Sequence, residues 1–272
     1  MNNFAFYVAF PALVFVNLAF VDIKSIFQDN IILLNLFFIL LFGAIVYLIC
    51  FLLKMETSDK ITFLIGSVFG NVAYLGIPVG KILFGSEGEV QATILSVIYL
   101  LLVLTLGIFL LEYFANKEGR LSLILKNIFK LPLFWSIIFG IIFSIFKIPI
   151  PGFLNSGLKM VADTASPVAL FALGIFLSFH LLKERITLSL FLTFSKIFFL
   201  PAFFFFLFFL FGKNVKTPEF AISILQASMP LAITNFVLAE KYNLNKAIIA
   251  NAIFFSTLFS LFEIPLIVKI LI

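Results

Sequence analysis

The chain reads as an all-α polytopic membrane protein, an inverted-repeat transporter fold with two broken crossover helices. Three observations predict this: the composition, a series of long apolar runs, and a proline-centred pattern that recurs in the second half. Of 272 residues, 63% are hydrophobic and 11% charged, and the mean hydropathy is +1.24. A soluble domain is roughly half apolar and a quarter charged, and one core cannot hide this much apolar surface. The excess belongs in lipid, which excludes a soluble enzyme, a nucleic-acid binder and a disordered chain. Cys50 and His180 are the single residues of their types. They exclude an internal disulfide, a thiolate metal cluster and a multi-histidine site, so no metal and no cofactor is expected.

A membrane span needs ~20 mostly apolar residues. Nine such runs lie near 4–21, 31–53, 61–84, 90–114, 132–147, 153–181, 186–211, 217–240 and 247–270. The first, with Phe10-Pro11-Ala12-Leu13-Val14-Phe15, has no basic leader and no small-residue cleavage site, so it is a span and not a signal peptide. The second is uninterrupted. The third holds Gly70, Asn71, Tyr74, Gly76, Pro78 and Gly80, and the fourth again runs clean. A polar stretch at 115–131 follows, with Lys117, Glu118, Arg120, Lys126 and Lys130, and 121–129 is expected to lie along the interface. The fifth run is short. The sixth holds Asp163 and Ala165-Ser166-Pro167-Val168-Ala169-Leu170-Phe171, and the seventh contains Lys196. The eighth carries Gln226-Ala227-Ser228-Met229-Pro230 with Thr234 and Asn235, and the ninth ends the chain.

Pro11 to Pro78 is 67 residues and Pro167 to Pro230 is 63, so the halves are offset by 156 or 152 residues. The counterparts are segments one and six, and segments three and eight. They lie five spans apart, an odd number, so the halves point in opposite directions, which is the signature of inverted-repeat secondary transporters. A first repeat is expected over 1–114, incomplete because a counterpart of segment five is missing before segment one. A cytoplasmic loop follows at 115–131, then a second repeat at 132–272. Basic residues number ten in the loop set containing 115–131 and seven in the other, with Lys196 inside a span. That bias puts 115–131 inside the cell.

Prolines and glycines in mid-span free backbone groups that must be buried in protein or line a cavity. Two such segments at matching positions point to a midplane binding site. The expected substrate-binding residues are Asn71, Tyr74, Gly76 and Pro78 from the first break, and Gln226, Ser228, Pro230, Thr234 and Asn235 from the second. Ordinary packing kinks are the plainer reading of each break alone; an amide in both favours the site. Ionisable groups in a membrane are costly and face protein interiors. Asp163 and Lys196 are therefore ion-coupling candidates. Lys196 is read either as an anion counter-charge or as a partner of Asp163 or Glu263. Glu263, His180 and Lys81 are read as reaching the interface, and Asn17 as a cavity-lining or interhelical amide. Gly76-Ile77-Pro78-Val79-Gly80-Lys81 lacks phosphate-loop spacing, and no metalloprotease or nucleophile-elbow motif occurs, so no catalytic residue and no enzyme activity is expected.

At Phe10–Phe15, Gly70-Asn71 through Pro78, Ala165–Gly174 and Gln226–Ile272 the chain resembles the auxin efflux carrier family, which includes plant PIN-type carriers and bacterial malonate- or malate-type permeases. The resemblance implies ten spans in two inverted five-helix repeats, the first span being absent here. It implies a scaffold from segments one, five and six and a moving core from the rest, with elevator-type alternating access. It further implies a homodimer through the scaffold, a small dicarboxylate-like organic anion as substrate, H+ or Na+ as coupling ion, and a bacterial inner (cytoplasmic) membrane location. An acidic residue at the position of Asp163 is common in that family, whereas Glu263 departs from it. Two alternatives stay open: a sodium-coupled bile-acid-type symporter or cation/proton antiporter of similar architecture, and a non-transporting membrane sensor or scaffold.

Overall fold

The computed structural model describes residues 4–20, 30–116, 129–130, 132–165, 167–168, 171, 175 and 184–271. Among them every extended element is helical, as expected of an all-α membrane protein. Lys117, Glu118, Arg120, Lys126, His180 and almost all of the 121–129 interfacial segment lie outside the described residues.

The helices are α1 (Phe10–Ala19), α2 (Ile31–Leu52), α3 (Thr57–Val68), α4 (Ile77–Leu102), α5 (Ile108–Asn116), α6 (Pro132–Ile145), α7 (Gly152–Asp163), α8 (Ile186–Phe194), α9 (Leu200–Leu210), α10 (Pro218–Ser228), α11 (Thr234–Lys241) and α12 (Lys246–Leu271). Wide π turns cover Ala5–Ala9, Val72–Gly76, Val103–Gly107 and Ser195–Phe199. Three of them run directly into a helix whose first or second residue is proline: Pro11, Pro78 and Pro201. The cause is local. Proline has no N–H for the bond to the residue four back, and its ring presses on that carbonyl, so the preceding turn widens.

Ile31–Leu52, Ile186–Leu210 and Lys246–Leu271, of 22, 25 and 26 residues, are each long and apolar enough to cross a membrane. The helical stretch Val72–Leu111, of 40 residues, is not one rod. Gly85 has φ 66 and ψ −150, a conformation open to glycine and costly for other residues. The chain reverses there. Lys81 Nζ meets Glu89 Oε2 at 2.9 Å, and Ser96 Oγ donates to Val72 O at 2.8 Å. The two arms thus lie antiparallel, which matches the separate third and fourth segments read from the sequence.

Left-handed backbone residues recur at a fixed interval. Asn30 and Arg185 each stand immediately before a long helix, 155 residues apart. Lys54 and Gly212 each stand two residues past a helix end, 158 apart, and Gly85 and Asn243, at the two hairpin turns, are also 158 apart. The ends at Lys54 and Gly212 close alike. Lys54 and Gly212 N–H donate to Phe51 and Phe209 O, and the next residues donate to Cys50 and Phe208 O, the bonding of a Schellman end. Two copies of one backbone path would give this recurrence.

α1 packs extensively on α6 and α7, while α2–α5 and α8–α12 pack among themselves. Among the described residues the substantial contact between these groups is α1 against α4, which includes a hydrogen bond from Asn17 Nδ2 to Thr93 Oγ1 at 2.8 Å. One apolar cluster, containing Phe10, Leu13, Val14, Ile77, Leu133 and Ala162, spans that boundary. A second, built on Phe38, Phe204, Phe208, Leu225 and Ile249, lies wholly inside the larger group. Phe206, Phe209, Phe262 and Leu266 are among many large apolar side chains on the outer surface; a bilayer, not water, suits that face.

Candidate functional site

The two breaks meet. α3 ends at Val68 and α10 at Ser228, and the segments that follow pair antiparallel. Asn71 N–H donates to Pro230 O at 2.6 Å, Ala232 N–H donates to Phe69 O at 3.3 Å, and Gly70 faces Leu231. Backbone groups freed by Pro230 and by the end of α3 thus satisfy one another at membrane depth, as they must. The approach needs glycine: a Cβ on Gly70 would lie 2.8 Å from Met229 O and 2.9 Å from Lys196 Nζ. α4, with its leading π turn, and α11 both start at this crossing. Helix starts carry unpaired N–H groups and partial positive charge, so both present attraction for an anion.

The second break is held by side chains. Lys196, fully buried in the π turn after α8, donates from Nζ to Ala227 O at 2.5 Å. Leu231 N–H donates to Ser256 Oγ at 3.1 Å, and Asn235 Nδ2 donates across the crossing to Phe69 O at 2.8 Å. Ser228 Oγ turns back onto Leu225 O at 2.7 Å. Gln226 Nε2 donates to Ala92 O at 3.2 Å, and its Oε1 presses on Gly76, where any Cβ would collide. Gln226 Oε1 and Asn235 Oδ1 are buried acceptors with no hydrogen-bond partner.

The first break is freer. Ser96 Oγ donates to Val72 O at 2.8 Å, but the Asn71 side chain makes no hydrogen bond to a described residue and keeps 6% exposure. The Tyr74 ring rests against Phe10 of α1, centroids 5.5 Å apart. Asn71, Tyr74, Gly70, Ala232 and Thr234 line one small cavity of about 30 Å³, room for about one water. Beside it Pro78 opens onto a cavity of about 290 Å³ shared by Leu13 of α1, Asp163, Pro167, Lys81 and Glu89. That volume approaches the range of small-ligand sites. The largest cavity, about 350 Å³, is lined by apolar residues such as Ile39, Leu64, Leu106 and Leu110 and holds no groups suited to an anion.

The structure therefore gathers Asn71, Tyr74, Gly76, Pro78, Gln226, Ser228, Pro230, Thr234 and Asn235 around one crossing. Asp163 and Lys196 do not meet: Asp163 faces the cavity beside Pro78, whereas Lys196 lies behind Gly70. Lys196 and Glu263 form no ion pair either. Two interface readings are corrected. Lys81 pairs with Glu89 and lines the cavity, because the Gly85 reversal brings the two arms together. Glu263 is 4% exposed, because α12 turns it toward α8. Sequence reasoning also missed Ser96 and Ser256, each holding the break of its own half. The signal was available: a lone serine mid-helix, recurring at an interval of 160 residues. A buried set joining Tyr99 OH to Asn35 Oδ1 at 2.6 Å and Asn35 Nδ2 to Ser223 Oγ at 2.9 Å was missed as well.

Comparison with known proteins gives one consistent picture. The family model described as "Membrane transport protein" matches residues 1–268. An uncharacterized transporter of Methanothermobacter thermautotrophicus is 27% identical, over 98% of this chain and 86% of the relative. The uncharacterized transporter MJ1031 of Methanocaldococcus jannaschii is 29% identical, over 98% and 87%. The uncharacterized transporter YfdV of Escherichia coli is 22% identical, over 89% and 78%.

Proposed function

Since the chain belongs to the membrane transport protein family, the auxin efflux carrier family that its sequence resembles, and is thus a multi-pass membrane transporter, we propose that it is a secondary active permease for a small, dicarboxylate-like organic anion. The crossing of the two breaks carries this reading. Two helix starts, the free Asn71 amide and the Thr234 hydroxyl converge on one point, with the Lys196 ammonium behind Gly70. Donors and partial positive charge in a site shielded from water suit a carboxylate, and charge-assisted hydrogen bonds are the strong ones.

Movement follows from the packing. The group of α1, α6 and α7 acts as a scaffold, and the larger group, with the crossing inside it, slides against it to expose the anion to either side. The narrow α1–α4 boundary, with Asn17–Thr93 as its hydrogen bond, supports this division. The cavity of about 290 Å³ lies on that boundary and serves as the approach to the crossing. The transporter works as a homodimer through the scaffold, in a cytoplasmic membrane.

Uptake of labelled malonate and malate into proteoliposomes tests the reading, with an imposed pH or sodium gradient. Accumulation above protein-free vesicles is the expected result. No uptake of either acid under any gradient overturns the anion assignment.

A further inference from the structure

Glu263 presents an observation that the anion site does not use. Its carboxyl is 4% exposed, and neither oxygen has a hydrogen-bond partner. It lines a cavity of about 310 Å³ whose other walls are Phe194, Phe198, Phe259, Phe262 and Leu266. Phe194 stacks on Phe198 at 5.4 Å and lies 6.1 Å from Phe259, so the carboxyl faces phenyl rings and not dipoles. α12 packs against α3, α8 with its π turn, α10 and α11. Charged groups on those elements are Asp59 and Lys60, Lys196, Glu219, and Glu240 and Lys241; among the described residues only Lys196 acts electrostatically on Glu263. Lys196 is meanwhile spent on Ala227 O at 2.5 Å, at the C-terminal end of α10 and directly behind the crossing.

We propose that Glu263 is a proton-binding site, coupled through Lys196 to the crossing, so that a proton and the transported anion bind together. A carboxylate with two unpaired oxygens among phenyl rings in a membrane is costly, and a proton on one oxygen removes the charge. With Glu263 neutral, the Lys196 charge is uncompensated and attracts an anion through Gly70. When the proton leaves, the Glu263 carboxylate competes for that charge and the anion is held less well. The linkage is reciprocal: a bound anion favours the proton on Glu263 by the same factor. The proton comes from and returns to water, with no other reactant. This makes the coupling ion H+. The coupling half of the inference rests on the anion reading of the crossing; the proton site does not.

Two measurements on the full chain reconstituted in lipid test this. Infrared spectroscopy at about pH 6 is expected to show a protonated-carboxyl band that disappears in Glu263→Gln and persists, displaced, in Glu263→Asp. Malonate titration is expected to show wild-type affinity falling at least about fivefold from about pH 6 to about pH 8.5, while Glu263→Gln keeps the low-pH affinity throughout. No band assignable to Glu263 overturns the proton site, even where malonate binds. The same pH dependence in Glu263→Gln as in wild type overturns the coupling. A Glu263 band without malonate binding at either pH supports the proton site while overturning both the coupling and the anion reading.

Discussion

The two breaks that meet at the crossing are built differently. At the second, four side chains address the backbone: Lys196 holds Ala227, Ser256 holds Leu231, Ser228 holds Leu225, and Asn235 reaches across to Phe69. At the first, Ser96 alone holds Val72; the chain relaxes into a π turn before Pro78, and the Asn71 side chain is left without a described partner. Buried polar groups that are fully engaged serve architecture, whereas one left free beside a cavity is available to a ligand. The second break is thus the frame that holds the charge, and the first is the face that meets the substrate.

The largest effect is expected where both faces depend on one atom. Gly70→Ala drives a methyl group against Met229 O and the Lys196 side chain. Overpacking costs about 1–3 kcal/mol, and here it also separates the breaks. Thermal unfolding in detergent should fall clearly and uptake should cease; wild-type stability together with uptake would show that the breaks need not touch. Lys196→Met comes next. It removes the buried charge and strands the Ala227 carbonyl, so malonate affinity should fall about tenfold to a hundredfold, the value of a charge-assisted hydrogen bond. Retained affinity in that variant would take the charge out of the site.

Asn235→Ala tests the frame alone. Phe69 O loses its side-chain donor, at about 1–3 kcal/mol of stability, while affinity should change little once the protein is folded. A pure affinity loss with normal stability would reverse the assignment of the two breaks. Asn17→Ala is the mildest change. An interhelical hydrogen bond of this kind is worth ~0.6 kcal/mol. Because it joins the α1 group to α4, the uptake rate should move while malonate affinity does not. An altered affinity would place Asn17 in the site and not at the sliding boundary.

The helical membrane fold was legible from composition, and both breaks from Pro78 and Pro230 with their neighbouring glycines. Proline acts on its own turn, so its effect is local and readable. That the breaks touch was expected from pairing them, but their unequal roles were not legible. Asn71 and Asn235 are alike in sequence, and only the position of Phe69 O separates a satisfied amide from a free one. Lys81 was misread because snorkelling is a default for a lysine near a span end. The left-handed turn at Gly85, eight residues of chain doubling back, decides its partner. Glu263 was misread for a similar reason: which face of α12 it occupies depends on how that helix rotates against α8, and the low amphipathicity of an all-apolar segment does not announce a face.

The claim that the first break receives the anion is tested most directly by titrating malonate into purified wild type and Asn71→Ala, with thermal unfolding of both in parallel. The expected result is affinity weakened about tenfold or more with an unchanged unfolding temperature, since the Asn71 amide holds nothing else among the described residues. Unchanged affinity in Asn71→Ala contradicts the claim and moves the substrate away from the crossing.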